Sequence, residues 1–102
     1  MNLNENLLKQ IETSENKQNA ALVYSLIEYR LQQVSTEEKQ KPFFENTYWV
    51  CINFYTQQEQ FEFMSREEIQ GGLKTLIKFG FLREKTKINK YYYSKTNKCL
   101  SL

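Results

Sequence analysis

The stretch Ser65-Arg-Glu-Glu-Ile-Gln-Gly-Gly-Leu-Lys-Thr-Leu-Ile-Lys-Phe-Gly-Phe-Leu82 contains both the start and the end of a helix. Ser65 is a residue that favours the position before a helix, and Glu68 stands three residues later, in the place of a capping box. Gly80 suits the left-handed position that ends a helix. The spacing predicts an amphipathic helix between these signals, with an inward apolar stripe of Ile69, Leu73, Leu76 and Ile77.

The outward face of this helix is polar and mostly basic. Its side chains recur every four residues and so share one face, at Arg66, Gln70, Lys74 and Lys78. Gly71 and Gly72 interrupt the helix interior, where each should cost about 1 kcal/mol relative to Ala. Close packing of another helix would offset that cost; a kink, or the close approach of a partner, are the alternatives.

A basic hairpin is predicted directly after the helix. Residues 81–84 form its first strand, residues 86–89 turn, and residues 90–94 return. In the returning strand, alternation places Tyr91 and Tyr93 on one side and Tyr92 on the other. We expect these rings to pack on the core, with stacking on unpaired bases as the alternative.

The remaining elements precede Ser65. Leu3, Leu7, Leu8 and Ile11 have helical spacing, and a more apolar helix should run from about Lys17 to Gln33. Residues 34–46 are polar, so a loop or a single helical turn is expected. The following segments are predicted to be a strand over residues 47–54, a short helix over residues 55–61, and a turn anchored by Phe61 and Phe63.

Composition limits the function classes. With 102 residues, 40% of them apolar, the chain is predicted to form one domain. It has no His, its carboxylates are all Glu, and it has no phosphate loop, nucleophile motif or metal-ligand spacing, so we expect no enzyme, cofactor or metal.

Cys51 should be a small core residue and Cys99 a free thiol, with a disulfide as the alternative. Without a secretion signal or a membrane-spanning run, a cytoplasmic protein is expected.

Charge is unevenly distributed along the chain. Residues 1–70 contain six Lys/Arg and eleven Glu, whereas residues 71–102 contain eight Lys/Arg and one Glu. The basic side chains of the hairpin and tail are Arg83, Lys85, Lys87, Lys90, Lys95 and Lys98. A basic hairpin beside a helix commonly holds a sugar-phosphate backbone, although lysines on an exposed strand also prevent aggregation. If all six contacted phosphates, the log–log dependence of affinity on salt would have a slope of roughly −5.

The order of these elements predicts an α+β fold, a winged helix-turn-helix with an additional N-terminal helix. Its parts are expected to be an N-terminal helical extension over residues 1–16, the winged-helix domain over residues 17–94, and a basic tail over residues 95–102. In this fold the helix after Ser65 is the recognition helix and the hairpin is the wing.

From about Gln18 onward the chain resembles the winged-helix domain of phage and plasmid replication proteins of low-GC Gram-positive bacteria, the replisome-organiser group. The resemblance includes the apolar helix opening at Asn19-Ala20-Ala21-Leu22, the pair Trp49-Val50, and the segment Gln58–Ser65 with its two Phe. It continues through Ile69, Leu73, Leu76, Gly80, Phe81 and Leu82, and ends at Tyr91–Tyr93. It implies the winged-helix fold and a role in replication initiation.

This chain departs from the family pattern at several positions. Gln70 and Gly71 stand where the family usually has a basic pair, and Ile77 and Phe79 stand where it tends to have charged residues. Longer family members also continue into a second helical domain, and we expect DNA binding here without that domain.

Two functions follow as hypotheses. The first is a small double-stranded-DNA-binding protein of a phage or mobile element, acting in replication initiation or transcriptional control. Its DNA-binding residues are predicted to be Arg66, Gln70, Lys74, Lys78, Arg83, Lys85, Lys87 and Lys90, and the helix from Leu3 to Ile11 is suggested as the interface of a homodimer. The alternative is a fold recruited to bind a host protein or nucleoprotein complex, such as a phage-encoded, anti-CRISPR-like inhibitor of a defence nuclease.

Overall fold

The chain combines helices and short strands, and the computed structural model describes residues 4–34, 42–52 and 64–102. Within those ranges the elements are α1 (Glu5–Gln10), α2 (Lys17–Val34), β1 (Phe43–Phe44), β2 (Thr47–Tyr48), β3 (Val50–Ile52), α3 (Arg66–Lys78), β4 (Leu82–Lys87), β5 (Lys90–Lys95) and a 3-10 helix (Asn97–Ser101). Three α-helices and two small antiparallel sheets confirm the predicted α+β class for these ranges.

The two N-terminal helices lie close to their predicted positions. Asn4 caps α1 by accepting a hydrogen bond from the backbone N–H of Leu7 at 3.0 Å. Leu7 and Ile11 are fully buried in the same apolar core as α2 and α3. Two of the apolar side chains of the helix suggested as a dimer contact, Leu7 and Ile11, are therefore packed within the chain itself.

A three-stranded antiparallel sheet with the order β3-β5-β4 forms the second layer. Its inner face, represented by Val50, Leu82 and Tyr93, is buried in the core with the helices. Directly paired residues lie on the same side of a sheet, so the register of Cys51 with Tyr92, and of Tyr92 with Lys85, places these residues on the opposite, outer face.

The hairpin formed by β1 and β2 was not predicted. We expected a loop or a single helical turn up to Asn46, which is wrong at Phe43–Phe44, and one strand over residues 47–54, which the described residues divide into β2 and β3. Glu45 and Asn46 have φ of 53° and 59°, which closes a two-residue turn and pairs Phe43 with Tyr48. The chain then passes through Trp49, which belongs to neither sheet, before it enters β3.

Helices α2 and α3 pack closely because of Gly72. A Cβ atom at Gly72 would lie 2.9 Å from the backbone oxygen of Asn19 and 2.9 Å from Cγ2 of Val23, both on α2. This close approach confirms helix packing as the explanation for Gly72. A Cβ atom at Gly71 would lie 3.4 Å from the side chain of Asn16, an ordinary contact distance.

Several predictions fall outside the described ranges. They are the contribution of Leu3 to the first helix, the segment at residues 35–41, the end of the predicted strand at residues 53–54, the short helix at residues 55–61 and the anchors Phe61 and Phe63.

Candidate nucleic-acid interface

Helix α3 begins at the predicted capping box. Ser65 Oγ accepts a hydrogen bond from the backbone N–H of Glu68 at 3.1 Å, and Glu68 Oε1 accepts one from the backbone N–H of Ser65 at 2.8 Å. These two bonds satisfy donors that a helix start otherwise leaves unpaired. They define the start of α3, whose inward face buries Ile69, Leu73 and Leu76.

Helix α3 ends in a turn that returns the chain to the sheet. Gly80 has φ of 85°, and the N–H of Phe81 bonds the carbonyl of Leu76 at 2.8 Å, as in a Schellman motif. The tail then closes over this end: Lys98 Nζ donates to the carbonyl of Phe79, and Thr96 Oγ1 donates to that of Gly80. The cation at the carbonyl end suits the helix dipole.

The four predicted helix residues form one exposed row, hereafter the α3 ridge, of Arg66, Gln70, Lys74 and Lys78. Lys74 lines two grooves, one on each side of the ridge. The first lies between α3 and the β4–β5 hairpin. The second, of about 370 Å³, lies between α3 and the α1–α2 connection at residues 13–16.

The β4–β5 hairpin is longer than predicted and turns more tightly. Strand β4 continues to Lys87, so the turn consists of Ile88 and Asn89 alone, with φ of 49° and 63°. Register pairs Leu82 with Lys95 at one end and Lys87 with Lys90 at the tip. These two lysines therefore flank the hairpin tip.

The predicted basic residues of the hairpin lie on its outer face, away from α3. Arg83, Lys85 and Lys87 alternate with Leu82, which is buried on the inner face. Lys90 is paired with Lys87 and shares its side. The structure therefore does not bring the eight predicted residues onto one surface: the four helix residues lie on α3, and the four hairpin residues lie on the outer face of the sheet.

The outer-face cations contact the β1–β2 hairpin. The guanidinium of Arg83 lies 5.3 Å from the centre of the Trp49 ring and donates to Thr47 Oγ1 at 3.3 Å. Lys85 Nζ is 3.5 Å from Glu45 Oε1, and Lys87 Nζ is 3.6 Å from the centre of the Phe44 ring. Arg83 and Lys85 thus help to hold one hairpin against the other.

An aromatic cluster underlies these cations. The Phe44 ring stacks on that of Trp49 with centres 4.8 Å apart and meets Tyr92 edge-on at 5.3 Å. Trp49 is fully buried, and its ring N–H donates to the carbonyl of Phe44 at 3.0 Å. Tyr92 lies on the opposite face from Tyr91 and Tyr93, as alternation predicts, but of the three rings only that of Tyr93, at 2% exposed, is buried in the core, whereas Tyr91 is 42% exposed.

The groove between α3 and the hairpin has a volume of about 290 Å³. Its helix wall includes Gln70 and Lys74 of the α3 ridge, and its strand wall includes Glu84, Tyr91 and Tyr93. Burial raises the pKa of Tyr93, and a hydrogen bond with Glu84 raises it further. The strand wall therefore contains a neutral tyrosine bonded to a carboxylate.

Sequence reasoning missed Glu84, Tyr91 and Ile88 as parts of this region. The position of Glu84 could have been predicted from the alternation of side chains in β4. Because Leu82 points inward, Glu84 lies on the same side of the strand and Arg83 on the other. Ile88 lies in the predicted turn, but its exposed fraction, 94%, could not be predicted from the local pattern.

No protein-family model, curated protein or solved structure matches this chain. In the described ranges, no three Cys or Glu side chains group in a way that could hold a metal ion. Across the same ranges, every helix is too short or too polar to cross a membrane.

Proposed function

We propose that this chain is a winged helix-turn-helix protein that binds double-stranded DNA, with α3 as the recognition helix and the β4–β5 hairpin as the wing. The sheet order β3-β5-β4 and the sequence helix, strand, helix, hairpin support this fold. The resemblance to phage and plasmid replication proteins supports an origin in a phage or mobile element and a role in replication initiation or transcriptional control.

The observation that carries the proposal is that Gln70 and Lys74 of the α3 ridge line one groove together with the inner face of the β4–β5 hairpin. A ridge of this kind fits the major groove, where Arg66 pairs best with guanine and Gln70 with adenine. Lys74 and Lys78 then neutralise phosphates, and Lys90 at the hairpin tip holds the backbone farther along the duplex. Four cations at the interface, Arg66, Lys74, Lys78 and Lys90, give a log–log salt slope of about −3 to −4.

Arg83, Lys85 and Lys87 are among the eight residues predicted from the sequence, but they lie on the outer face and outside this interface. Their contacts with the β1–β2 hairpin and Trp49 give them a structural role. Arg83 and Lys85 together provide a charge-matched control for Lys74 and Lys78 of the ridge.

The test is a fluorescence-polarisation titration with random and genomic duplexes at low and high salt. Lys74→Gln with Lys78→Gln removes two charges from the ridge, and Arg83→Gln with Lys85→Gln removes two from the outer face. We expect the first pair to weaken binding and to reduce the salt slope by about 1 per lysine, while the second leaves the slope unchanged. Equal losses from both pairs would contradict the interface, and absence of binding at low salt would contradict the function.

A second candidate function rests on the carboxylates near the ridge. Glu67 and Glu68 are exposed in the first turn of α3, and Glu84 lines the groove beside it. Carboxylates repel phosphates but complement a basic protein surface, such as the nucleic-acid channel of a host defence nuclease. Co-purification with such a nuclease, together with no DNA binding at low salt, would favour this candidate.

A further inference from the structure

Ile88 occupies the hairpin tip in a backbone conformation that isoleucine rarely adopts. Its φ is 49°, a region in which the branched Cβ is crowded, whereas the neighbouring Asn89 at 63° is a residue that tolerates it. Two-residue turns of this kind favour Asn, Asp or Gly at the first position. With 94% of its surface exposed, the Ile88 side chain buries almost no area in the fold that would offset this strain.

The last residues of β4 contact the β1–β2 hairpin. Lys87 lies against the Phe44 ring at 3.6 Å, and Lys85 pairs with Glu45 at 3.5 Å, so the last residues of β4 are fastened to the β1–β2 hairpin. The turn consists of only two residues, so Ile88 directly follows Lys87, which is packed on the Phe44 ring. The Ile88 side chain projects into solvent from this position.

The surroundings of Ile88 are cationic. Lys87 and Lys90 flank the turn, and residues 82–95 contain five Lys/Arg and one Glu. An apolar tip between cations suits a partner with anionic edges and an apolar interior. Duplex DNA has this combination, with phosphates along its grooves and stacked bases between them.

We propose that Ile88 is an apolar wedge, which the hairpin tip inserts between base pairs from the minor groove, kinking the DNA. This inference rests on the proposed DNA binding and adds deformation of the duplex to it. Inserted apolar side chains unstack a base step and bend DNA by about 20–90° towards the major groove. Flexible pyrimidine–purine steps, such as TA, should be the preferred points of insertion.

The test measures bending by fluorescence resonance energy transfer between dyes at the two ends of a duplex containing one TA step. Ile88→Asn relieves the strain and removes the wedge, so we expect a higher melting temperature together with loss of the bend and retention of salt-dependent binding. Ile88→Leu keeps an apolar tip and should keep the bend. Leu100→Asn, which changes another exposed apolar residue, at 89%, is the matched control and should change neither bending nor affinity.

The outcomes separate the two proposals. Binding without a bend in the unmodified protein, or a bend that survives Ile88→Asn, overturns the wedge and leaves DNA binding standing. A lower melting temperature for Ile88→Asn would also overturn it, because Ile88 would then stabilise the fold. Absence of binding to any duplex overturns both proposals.

Discussion

At the scale of single residues, Gly71 and Gly72 are adjacent in α3 but have different surroundings. Gly72 faces the backbone of α2, where a methyl group has no room without moving one helix. Gly71 faces the end of a polar side chain, that of Asn16, which can move aside. The sequence shows that both glycines lower the stability of the helix relative to Ala. Which of them is required depends on how α2 and α3 face each other, because only one of the two positions lies against the α2 backbone.

Gly72→Ala should therefore destabilise the protein and Gly71→Ala should not. The Cβ atom added at Gly72 overlaps the Asn19 carbonyl oxygen, and we expect overpacking to exceed the helix-propensity gain and lower the free energy of unfolding by about 1–2 kcal/mol. The same change at Gly71 should raise it by up to about 1 kcal/mol. Urea denaturation followed by circular dichroism measures both. Equal effects of the two substitutions would contradict the helix packing described here.

At the scale of elements, α3 was the most predictable and the β1–β2 hairpin the least. The ends of α3 depend on contacts within a few residues, namely the capping box at Ser65 and the left-handed Gly80, and local sequence signals describe such contacts well. The β1–β2 turn uses Glu45 and Asn46 with no glycine to mark it. Its stability comes instead from distant contacts with β4 and β5, which a local pattern does not contain.

In the candidate interface, too, the residues that depend on local spacing were predictable and those that depend on tertiary packing were not. The α3 ridge followed from helical spacing, because four-residue repeats share a face whatever the helix packs against. The basic residues of the hairpin were predicted as one group from their charge alone. The face of the sheet on which they lie depends on which face is buried, and charge does not determine that. Leu82 and Tyr93 determine that face, so Arg83 and Lys85 lie opposite the helix.

Phe44 is expected to join the β1–β2 hairpin to the sheet, and Trp49 reports on that junction because it is the only tryptophan in the chain. Phe44→Ala removes the ring stacked on Trp49, so we expect a loss of about 2 kcal/mol in unfolding free energy, below the 3–5 kcal/mol typical of a fully buried Phe. Trp49 emission should shift to longer wavelength as water reaches the ring. Phe43→Ala, at a neighbouring ring that is 52% exposed, is the control and should leave the emission unchanged. An unshifted spectrum for Phe44→Ala would mean that Trp49 is shielded by other groups.

At the scale of the whole molecule, two buried tyrosines join parts of the chain that are distant in sequence. Tyr24 of α2 is 2% exposed, and its hydrogen-bond partners include Cys99 in the C-terminal 3-10 helix. Tyr93 lies in the central strand of the sheet and bonds Glu84 of the neighbouring strand. Burial is the main reason that the pKa of each phenol is raised in the folded protein, and these hydrogen bonds raise it further.

The stability of the protein should therefore fall in alkaline solution. Tyrosine in the unfolded chain ionises near pH 10, whereas Tyr24 and Tyr93 keep their protons to higher pH when folded. Above about pH 10 the folded state binds more protons than the unfolded state, so each tyrosine lowers the unfolding free energy by up to about 1.4 kcal/mol per pH unit; below that pH its contribution is fully retained. Urea denaturation across this range, with tyrosinate absorbance followed in parallel, measures the effect. Tyr93→Phe should make the unfolding free energy fall less steeply with pH, because one of the two buried phenols is removed. An unchanged slope in that variant would show that Tyr93 has the same pKa in the folded and unfolded states.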